Sequence, residues 1–187
     1  MRPTFYYQKI FDESENVTAV EIFTRNYPVN ERTDLYLFVK LLKKLKKEKI
    51  TFNVPIHVNL YPSTIPLVDW ETAAPLLVKK NVVIEVLEED VYKYRHYIRE
   101  LIEWGIKFAL DDFGDGNTNF ALLWDIPFPI VKVNAEVVPP KVVESLKEDF
   151  GTQIVIAEKC CDFDFYPSDW FQCFELHEPE PILQEKT

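Results

Sequence analysis

Residues 82–112 read VVIEVLEEDVYKYRHYIRELIEWGIKFALDD, and this stretch has the pattern of one β–α–β unit. Val82–Leu87 is apolar at nearly every position, which is typical of a strand covered on both faces. A helix is predicted over Val91–Trp104, because Gly105 is favoured just beyond the C-terminus of a helix. A second apolar run, Ile106–Leu110, follows and ends at two aspartates. The stretch therefore predicts two parallel strands joined by a helix.

The same alternation continues on both sides of this unit. Six more strands are predicted, over Phe5–Phe11, Val17–Arg25, Val54–Leu60, Pro129–Val133, Gln153–Ala157 and Phe171–Leu176. Four more helices are predicted, over Thr33–Lys49 with Thr33 as the N-cap, Leu67–Lys79, Asn117–Trp124 and Pro140–Phe150. The first two strands read as a hairpin. Eight strands that alternate with helices predict an α/β fold, a TIM-like (β/α)8 barrel. Its helices must be abbreviated, because such barrels usually need about 250 residues and this chain has 187.

The composition narrows the class of protein. A chain of 187 residues with 47% hydrophobic residues suits a single domain over residues 1–187. No apolar run approaches the roughly 20 residues of a membrane span, and the N-terminus lacks a signal-peptide pattern. We therefore expect a cytoplasmic protein without membrane contact. The formal net charge of −10 argues against binding DNA or RNA polymers, which requires many cationic side chains. Three cysteines without a CxxC pair indicate packing roles rather than a disulfide framework.

Polar residues recur at or just beyond the C-terminal ends of the predicted strands. They are Glu21, Arg25, Asn59, Glu85, Glu88, Asp111, Asp112, Lys132, Glu158 and Gln172. In a β/α barrel these ends meet at one rim, where active sites of this fold are built. Charged residues inside a barrel are costly unless they are paired or bind metal. The pattern therefore predicts a functional site at this rim.

The residue types at this rim indicate divalent-metal chemistry. Its acidic residues and Asn59 offer only oxygen ligands, which suit Mg²⁺, Mn²⁺ or Ca²⁺. The adjacent Asp111 and Asp112 could bridge two ions, and paired ions activate water for an in-line displacement on phosphorus. Lys132 could lower the pKa of that water or stabilise charge on phosphate. Arg25 is suited to gripping phosphate oxygens.

Seven motifs together resemble those of one known family. Glu21–Arg25 resembles EALxR, His57–Leu60 resembles a VNLS strand, Glu85–Glu88 resembles ExTE, Asp111–Gly116 resembles DDFGTG, Val131–Asn134 resembles IKID, Val155–Glu158 resembles VIAE, and Gln172 with Pro179 resembles QGxxxxxP. Asp112 and Lys132 also keep the family separation of 20 residues. The chain thus resembles EAL domains, bacterial phosphodiesterases that open cyclic di-GMP.

The resemblance implies a β/α barrel whose first strand is antiparallel, two Mg²⁺ or Mn²⁺ ions, and hydrolysis of cyclic di-GMP to linear pGpG. It implies metal binding by Glu21, Asn59, Glu85, Asp111 and Asp112. It implies that Lys132 and Glu158 handle the catalytic water and that Glu88 holds the Asp111–Gly114 loop. Arg25, Phe23 and Gln172 are implied on the substrate side, and a homodimer contact is implied at the Asp112–Gly116 loop region.

The chain departs from the family pattern at several positions. Ile22 and Phe23 replace Ala-Leu, and the family's leucine there lies against the nucleotide. Asp115 replaces threonine, Asn134 replaces aspartate, Cys161 replaces glutamate and Cys173 replaces glycine. No clear PxxFI…AE stretch, which helps to shape the substrate pocket in relatives, lies between Arg25 and Asn59. These departures favour two alternatives to hydrolysis of cyclic di-GMP. The domain could be a catalytically degenerate receptor or protein-interaction module, or a metal-dependent phosphoesterase for another substrate.

Two simpler interpretations concern single residues. Gln172 could serve only to fill space in an aromatic-rich strand. The sequence around it does not distinguish this packing role from a role in the functional site. His57, His96 and His177 share no metal-ligand spacing, so ordinary surface or partly buried histidines are expected.

Overall fold

The computed structural model describes residues 3–88, 90–115, 120–160, 166–174 and 177–182. The strands are β1 Phe5–Phe11, β2 Val17–Thr24, β3 Ile56–Asn59, β4 Val82–Leu87, β5 Lys107–Phe113, β6 Ile130–Asn134, β7 Ile154–Glu158, β8 Trp170–Gln172 and β9 Glu180–Pro181. The helices are α1 Glu31–Lys46, α2 Trp70–Lys79, α3 Val91–Glu103, α4 Phe120–Asp125 and α5 Pro140–Glu148, and a 3-10 helix at Pro62–Leu67 precedes α2.

The strands close into a barrel. Neighbours from β2 to β8 follow one another in chain order and pair in parallel, and β1 closes the barrel by pairing antiparallel with both β2 and β8. The short β9, which the sequence pattern does not predict, adds to β1 at Tyr6 and Tyr7. The predicted fold class is therefore confirmed, including the antiparallel first strand.

The helices are short, as the chain length requires. The longest, α1, has 16 residues, and α4 has only 6. The N-cap of α1 is Asn30 and not Thr33. The Asn30 side chain accepts from the backbone N–H groups of Arg32 and Thr33, and the Thr33 hydroxyl accepts from the backbone N–H of Asn30. Thr33 is therefore the N3 residue of a capping box, and the N-cap lies three residues before the predicted one. None of the described helices has the length and apolarity needed to cross a membrane.

The barrel interior is filled in layers. Its lower layer is an apolar cluster of Ile10, Ala19, Val83, Ala109, Ile130 and Ile156. On β2, β4, β5, β6 and β7 the polar residue predicted for the site comes two positions after one of these apolar residues. Because side chains alternate along a strand, residues two apart face the same side. The apolar layer therefore supports a polar layer at the C-terminal rim.

A larger apolar cluster lies between the strands and the helices. It includes Ile84 and Val86 of β4, which are fully buried and alternate with the inward-facing Val83 and Glu85. Every residue of β4 from Val82 to Val86 is buried, as the uninterrupted apolar run predicts for a strand covered on both faces.

The cysteines differ in part from the expectation. Cys160 is a half-buried thiol, whereas Cys173 is disulfide-bonded. The packing role predicted for Cys173 is therefore corrected. Which cysteines pair depends on which loops the barrel brings together. The spacing of the cysteines along the sequence does not reveal this. Cys161 lies outside the described residues.

Candidate active site

Lys132 lies at the centre of the polar layer. Its Nζ atom donates hydrogen bonds to Glu21 Oε2 at 3.4 Å and to Glu85 Oε2 at 3.2 Å. It also lies 3.0 Å from both Asp111 Oδ1 and Glu158 Oε1. The side chain of Lys132 is 1% exposed, so this cation is held by four carboxylates from four strands and hardly at all by solvent.

Glu21 is oriented by two amides. Asn59 Nδ2 donates to Glu21 Oε1 at 2.6 Å, and Gln172 Nε2 donates to Glu21 Oε2 at 2.5 Å. Gln172 Nε2 also makes a longer contact, 3.4 Å, with Gln8 Oε1 of β1. The structure thus brings Gln172 to the carboxylates, which favours a site role over packing alone.

Asp111 and Asp112 are consecutive, yet both reach the same cluster. Single oxygen atoms of Asp111, Asp112 and Glu158 lie within 4.8 Å of one another. The register between β5 and β6 shifts between Leu110 and Phe113, and Asp112 has a left-handed backbone with φ 55°. Such an irregularity breaks the alternation of side chains between the two faces of a strand. The bulge therefore allows adjacent aspartates to serve one site.

The electrostatics of the cluster are dominated by burial and by Lys132. Burial opposes the charge of Lys132, but Asp111 and the three glutamates outweigh it and hold the pKa of the ammonium well above its usual range. Burial likewise opposes ionisation of Glu21. Lys132, Gln172 and Asn59 outweigh it and lower the pKa of Glu21. These two residues therefore form a charged pair.

Other carboxyl groups of the cluster hold their protons more tightly. Burial raises the pKa of Glu158 to about 8, although Lys132 opposes the rise. Burial also raises the pKa of Glu85 well above its ordinary value, and it raises that of Asp112, with the Asp111 charge adding to the effect. Five acidic groups share one lysine, so the carboxylates are in excess of the cationic charge beside them.

This excess of carboxylate fits divalent cations. All the side chains at the rim that could ligate a metal offer oxygen, which Mg²⁺, Mn²⁺ and Ca²⁺ prefer. Asp111 Oδ1 is buried, lies 3.0 Å from Lys132 Nζ, and accepts no hydrogen bond from the described part of the chain. A buried carboxylate oxygen without a hydrogen bond is costly. A cation at the Asp111, Asp112 and Glu158 group would satisfy it.

A cavity of about 180 Å³ opens beside Asn59 and Glu85. Its wall is mainly apolar and includes Phe23 and Phe38, with the buried Asp34 on α1. The Asp34 carboxylate accepts a hydrogen bond from the backbone N–H of Tyr61 at 2.9 Å. The cavity is smaller than the roughly 300–1,000 Å³ of pockets that enclose a whole drug-sized ligand. It can therefore take only part of a molecule as large as a dinucleotide.

Phe23, Arg25 and Glu88 lie at the C-terminal ends of β2 and β4, on strands that carry Glu21 and Glu85. Arg25 is exposed directly after β2, and its guanidinium carbon lies 5.7 Å from the centre of the Phe23 ring. Phe23 is half-buried and stacks on Tyr6 with ring centres 6.5 Å apart. Glu88 is half-buried at the first position after β4. The structure thus places Phe23 in the wall of the cavity and Arg25 on the surface beside the Phe23 ring.

Two departures from the family pattern contact each other. Asn134 Nδ2 donates to Asp115 Oδ1 at 2.8 Å, while Asn134 Oδ1 accepts from the backbone N–H of Glu136 at 3.1 Å. An aspartate at position 134 would instead bring a second carboxylate against Asp115. The asparagine therefore accommodates the aspartate in the loop after β5. Gly116, the other end of the predicted dimer loop, lies outside the described residues.

His57 is part of the site, although sequence reasoning treats it as an ordinary histidine. The residue is fully buried, and its Nδ1 atom lies 2.7 Å from Glu85 Oε1. Burial, together with the nearby Lys132 charge, lowers the pKa of His57 to about 3. The ring is therefore neutral at ordinary pH. A signal was present in the sequence, because His57 precedes Asn59 by two positions on a strand and so faces the same side.

Comparisons with known sequences agree with these features. The profile of the EAL domain family matches residues 28–156, which is more than half of the chain. The match leaves Glu21, Glu158 and Gln172 outside its bounds. The cyclic di-GMP phosphodiesterase PdeA of Borreliella burgdorferi is 23% identical over 232 aligned residues, which cover 96% of this chain and 34% of that protein. The chain thus spans about a third of the length of this curated relative.

Solved structures share the fold. Klebsiella pneumoniae BlrP1, in a complex with manganese and cyclic di-GMP, superposes with a TM-score of 0.78 at 22% identity, over 97% of this chain and 57% of that chain. Bacillus subtilis YkuI, in a complex with cyclic di-GMP and calcium, gives 0.74 at 18% identity, over 99% of this chain and 55% of that one. At these identities the likeness shows the fold, and the family is shown by the sequence profile. With its closed barrel and its rim of carboxylates, this chain belongs to the EAL domain family.

Proposed function

We propose that this chain is a divalent-metal-dependent phosphodiesterase that hydrolyses cyclic di-GMP to linear pGpG. The observation that carries the proposal is the buried Lys132 ammonium within reach of Glu21, Glu85, Asp111 and Glu158. A purely structural barrel interior would be more stable with apolar side chains, because desolvating so many charges is costly. The cluster therefore points to a selected chemical role.

The proposed metal ligands are Glu21, Asn59, Glu85, Asp111 and Asp112, for two Mg²⁺ or Mn²⁺ ions. Bound ions of this kind supply an activated water and neutralise charge on phosphate. The cyclic di-GMP complexes of BlrP1 with manganese and of YkuI with calcium support a divalent cation in this fold. The excess of carboxylate around Lys132 provides the negative field that would hold two such ions.

Lys132 and Glu158 are proposed to act on the water and the phosphate. The Glu158 carboxyl, whose pKa is about 8, can exchange a proton near neutral pH, as a general base must. Lys132 holds its proton firmly, so it acts as a hydrogen-bond donor to negative oxygen. Gln172 and Asn59 keep the Glu21 carboxylate oriented, and Glu88 is proposed to hold the loop after β5.

The substrate would lie across the rim with one base in the cavity. Phe23 contributes an aromatic wall on which a planar base can stack. Arg25 is exposed beside the Phe23 ring, makes no ion pair among the described residues, and can pair with a phosphate. The mainly apolar lining of the cavity suits a base better than a phosphate.

The proposal is tested by incubating the purified protein with cyclic di-GMP and excess Mn²⁺ or Mg²⁺ and following pGpG by chromatography. We expect product from the wild type and none from Lys132→Ala or Glu21→Ala. Glu48→Ala is the matched control, because Glu48 is exposed and its ion pair within the described part of the chain is with Lys80, remote from the carboxylate cluster. Circular dichroism of each variant separates loss of activity from loss of folding.

Other results of this assay would support other functions. Product formation unaffected by Glu21→Ala would refute the assignment of the site. Micromolar binding of cyclic di-GMP without turnover would identify a receptor, an alternative favoured by the bulky Phe23 in the cavity wall. Turnover of other phosphodiesters but not cyclic di-GMP would identify a phosphoesterase of different specificity.

A further inference from the structure

The lower layer of the barrel has one polar exception. Five strands place an apolar residue two positions before their residue in the polar layer, and these residues are Ala19, Val83, Ala109, Ile130 and Ile156. On β3 the corresponding residue, two positions before Asn59, is His57. It pairs in register with Glu21 on one side and with Val83 on the other. An imidazole therefore lies among the apolar side chains of this layer.

A buried imidazole in an apolar layer needs a compensating contact, because burying a polar group without a hydrogen bond is unfavourable. His57 has one such contact, to Glu85, at 2.7 Å between Nδ1 and Oε1. Its other nitrogen, Nε2, is buried and makes no hydrogen bond with the described residues. The single contact of the ring is therefore made to a proposed metal ligand.

The contact divides the two oxygen atoms of Glu85 between two tasks. Oε1 faces His57 below, and Oε2 faces Lys132 at 3.2 Å in the polar layer. When Glu85 is ionised it can only accept hydrogen bonds, so the proton of the neutral ring must be on Nδ1. A donor on Oε1 restrains rotation of the carboxylate and leaves Oε2 directed toward the other acidic groups.

We propose that His57 is a positioning residue that orients the Glu85 carboxylate for metal binding. The inference rests on the proposed metal site and adds a residue that lies outside the ligand set. Groups that hydrogen-bond to a metal ligand commonly change metal affinity by 10–100-fold when they are removed. An apolar residue at position 57 would pack in the lower layer as its neighbours do but would leave Oε1 without its donor.

The test is the affinity for Mn²⁺, measured by titration calorimetry on protein stripped with EDTA and without nucleotide. His57→Leu removes the donor and keeps an apolar side chain of similar size. His57→Asn leaves a smaller side chain but offers an amide N–H near the position of Nδ1. We expect His57→Leu to bind Mn²⁺ 10–100-fold more weakly than the wild type, and His57→Asn to recover most of the affinity.

A role in packing alone predicts the opposite order, because asparagine leaves a larger void and a less apolar surface than leucine. Affinity in His57→Leu equal to that of the wild type, or in His57→Asn as weak as in His57→Leu, would overturn the proposal. If His57→Leu does not fold, His57→Gln replaces it, since its amide reaches the Nε2 position instead. Equal affinities of the Asn and Gln variants would then overturn the proposal, and tighter binding by the Asn variant would support it.

The same titration separates this inference from the proposed function. A wild-type protein that binds no Mn²⁺ would reject the metal-dependent function together with the role of His57. A wild type that binds Mn²⁺ but does not hydrolyse cyclic di-GMP would reject the phosphodiesterase, while the order of the His57 variants would still decide the positioning role. Thermal unfolding in EDTA reports the packing contribution of each variant independently.

Discussion

Lys132 Nζ lies 3.0 Å from Asp111 Oδ1, and both side chains are buried where β5 and β6 reach the rim of the barrel. Without metal, this ammonium is the cation that offsets the acidic groups around it. The same lysine thus has a structural task in the metal-free protein and a proposed chemical task in the enzyme. Stability and activity can therefore be tested at one residue.

We predict that Lys132→Met destabilises the metal-free protein by about 3–5 kcal/mol, because removing one partner of a buried ion pair leaves uncompensated charge. The measurement is urea unfolding in EDTA. Lys147→Met is the matched control, since Lys147 makes a half-exposed ion pair with Asp169 at 2.8 Å. Such pairs contribute up to about 1 kcal/mol. Equal losses in the two variants would contradict the buried cluster described here.

The raised pKa of Glu158 predicts a pH-dependent stability. Its pKa is about 8 in the folded protein, against an ordinary value of 4.5. Between these pH values the folded state binds more protons at Glu158 than the unfolded state does, so the free energy of unfolding falls as pH rises. Glu158→Gln should remove this contribution, and its stability relative to the wild type should increase from pH 4.5 to pH 8. Urea unfolding in EDTA across this range measures the difference, and a constant difference would refute the raised pKa.

Gly114 is required by space as well as by backbone conformation. A Cβ atom there would lie 2.3 Å from Val138 Cγ2, and φ is +99°. We predict that Gly114→Ala costs more than about 2 kcal/mol, through overpacking and an unfavourable φ. Gly151 is the matched control, because its φ is also positive, +68°, but an added Cβ would have no atom within 4 Å. Gly151→Ala should therefore lower the free energy of unfolding by only about 1 kcal/mol. Thermal unfolding distinguishes them, and Val138→Ala should partly rescue Gly114→Ala. Absence of rescue would exclude the clash as the cause.

Because Asn134 contacts Asp115, we predict that substitutions at these two positions have non-additive effects on the free energy of unfolding. Asn134→Asp should destabilise the protein by about 1 kcal/mol, because it replaces a hydrogen bond by a pair of carboxylates. Asp115→Thr removes the second carboxylate, so the double variant should recover stability relative to Asn134→Asp. A double-mutant cycle of urea unfolding energies gives the coupling. Additive effects of the two substitutions would show that the contact is not energetically significant.

Much of the site was accessible from the sequence because its residues occupy equivalent positions on successive strands. Glu21, Glu85, Asp111, Lys132 and Glu158 each lie in an apolar run or directly after it, toward its C-terminal end, and parallel strands bring such ends to one rim. The predicted convergence of these residues agrees with their contacts to Lys132. Their roles as metal ligands or catalytic groups stay predictions until the assays above are made.

Other features depend on neighbours that are remote in sequence. The pairing of β9 with β1 joins the two ends of the chain, at Tyr6 with Pro181 and Tyr7 with Glu180. The contact of His57 is not predicted because its partner Glu85 lies on the next strand, 28 residues away. The contact between Asn134 and Asp115 joins the end of β6 to the loop after β5 and has no signature in either motif taken alone.

The sequence by itself determined the class of fold and the chemistry of the rim, because strand periodicity and residue type are local properties. Only the tertiary structure decided how that chemistry is arranged. The bulge at Asp111 and Asp112 turns adjacent aspartates to one site, and closure of the barrel places Lys132 among carboxylates from four strands. The tertiary structure also sets the pKa values of these groups, because burial and neighbouring opposite charge act on them only after distant strands are brought together.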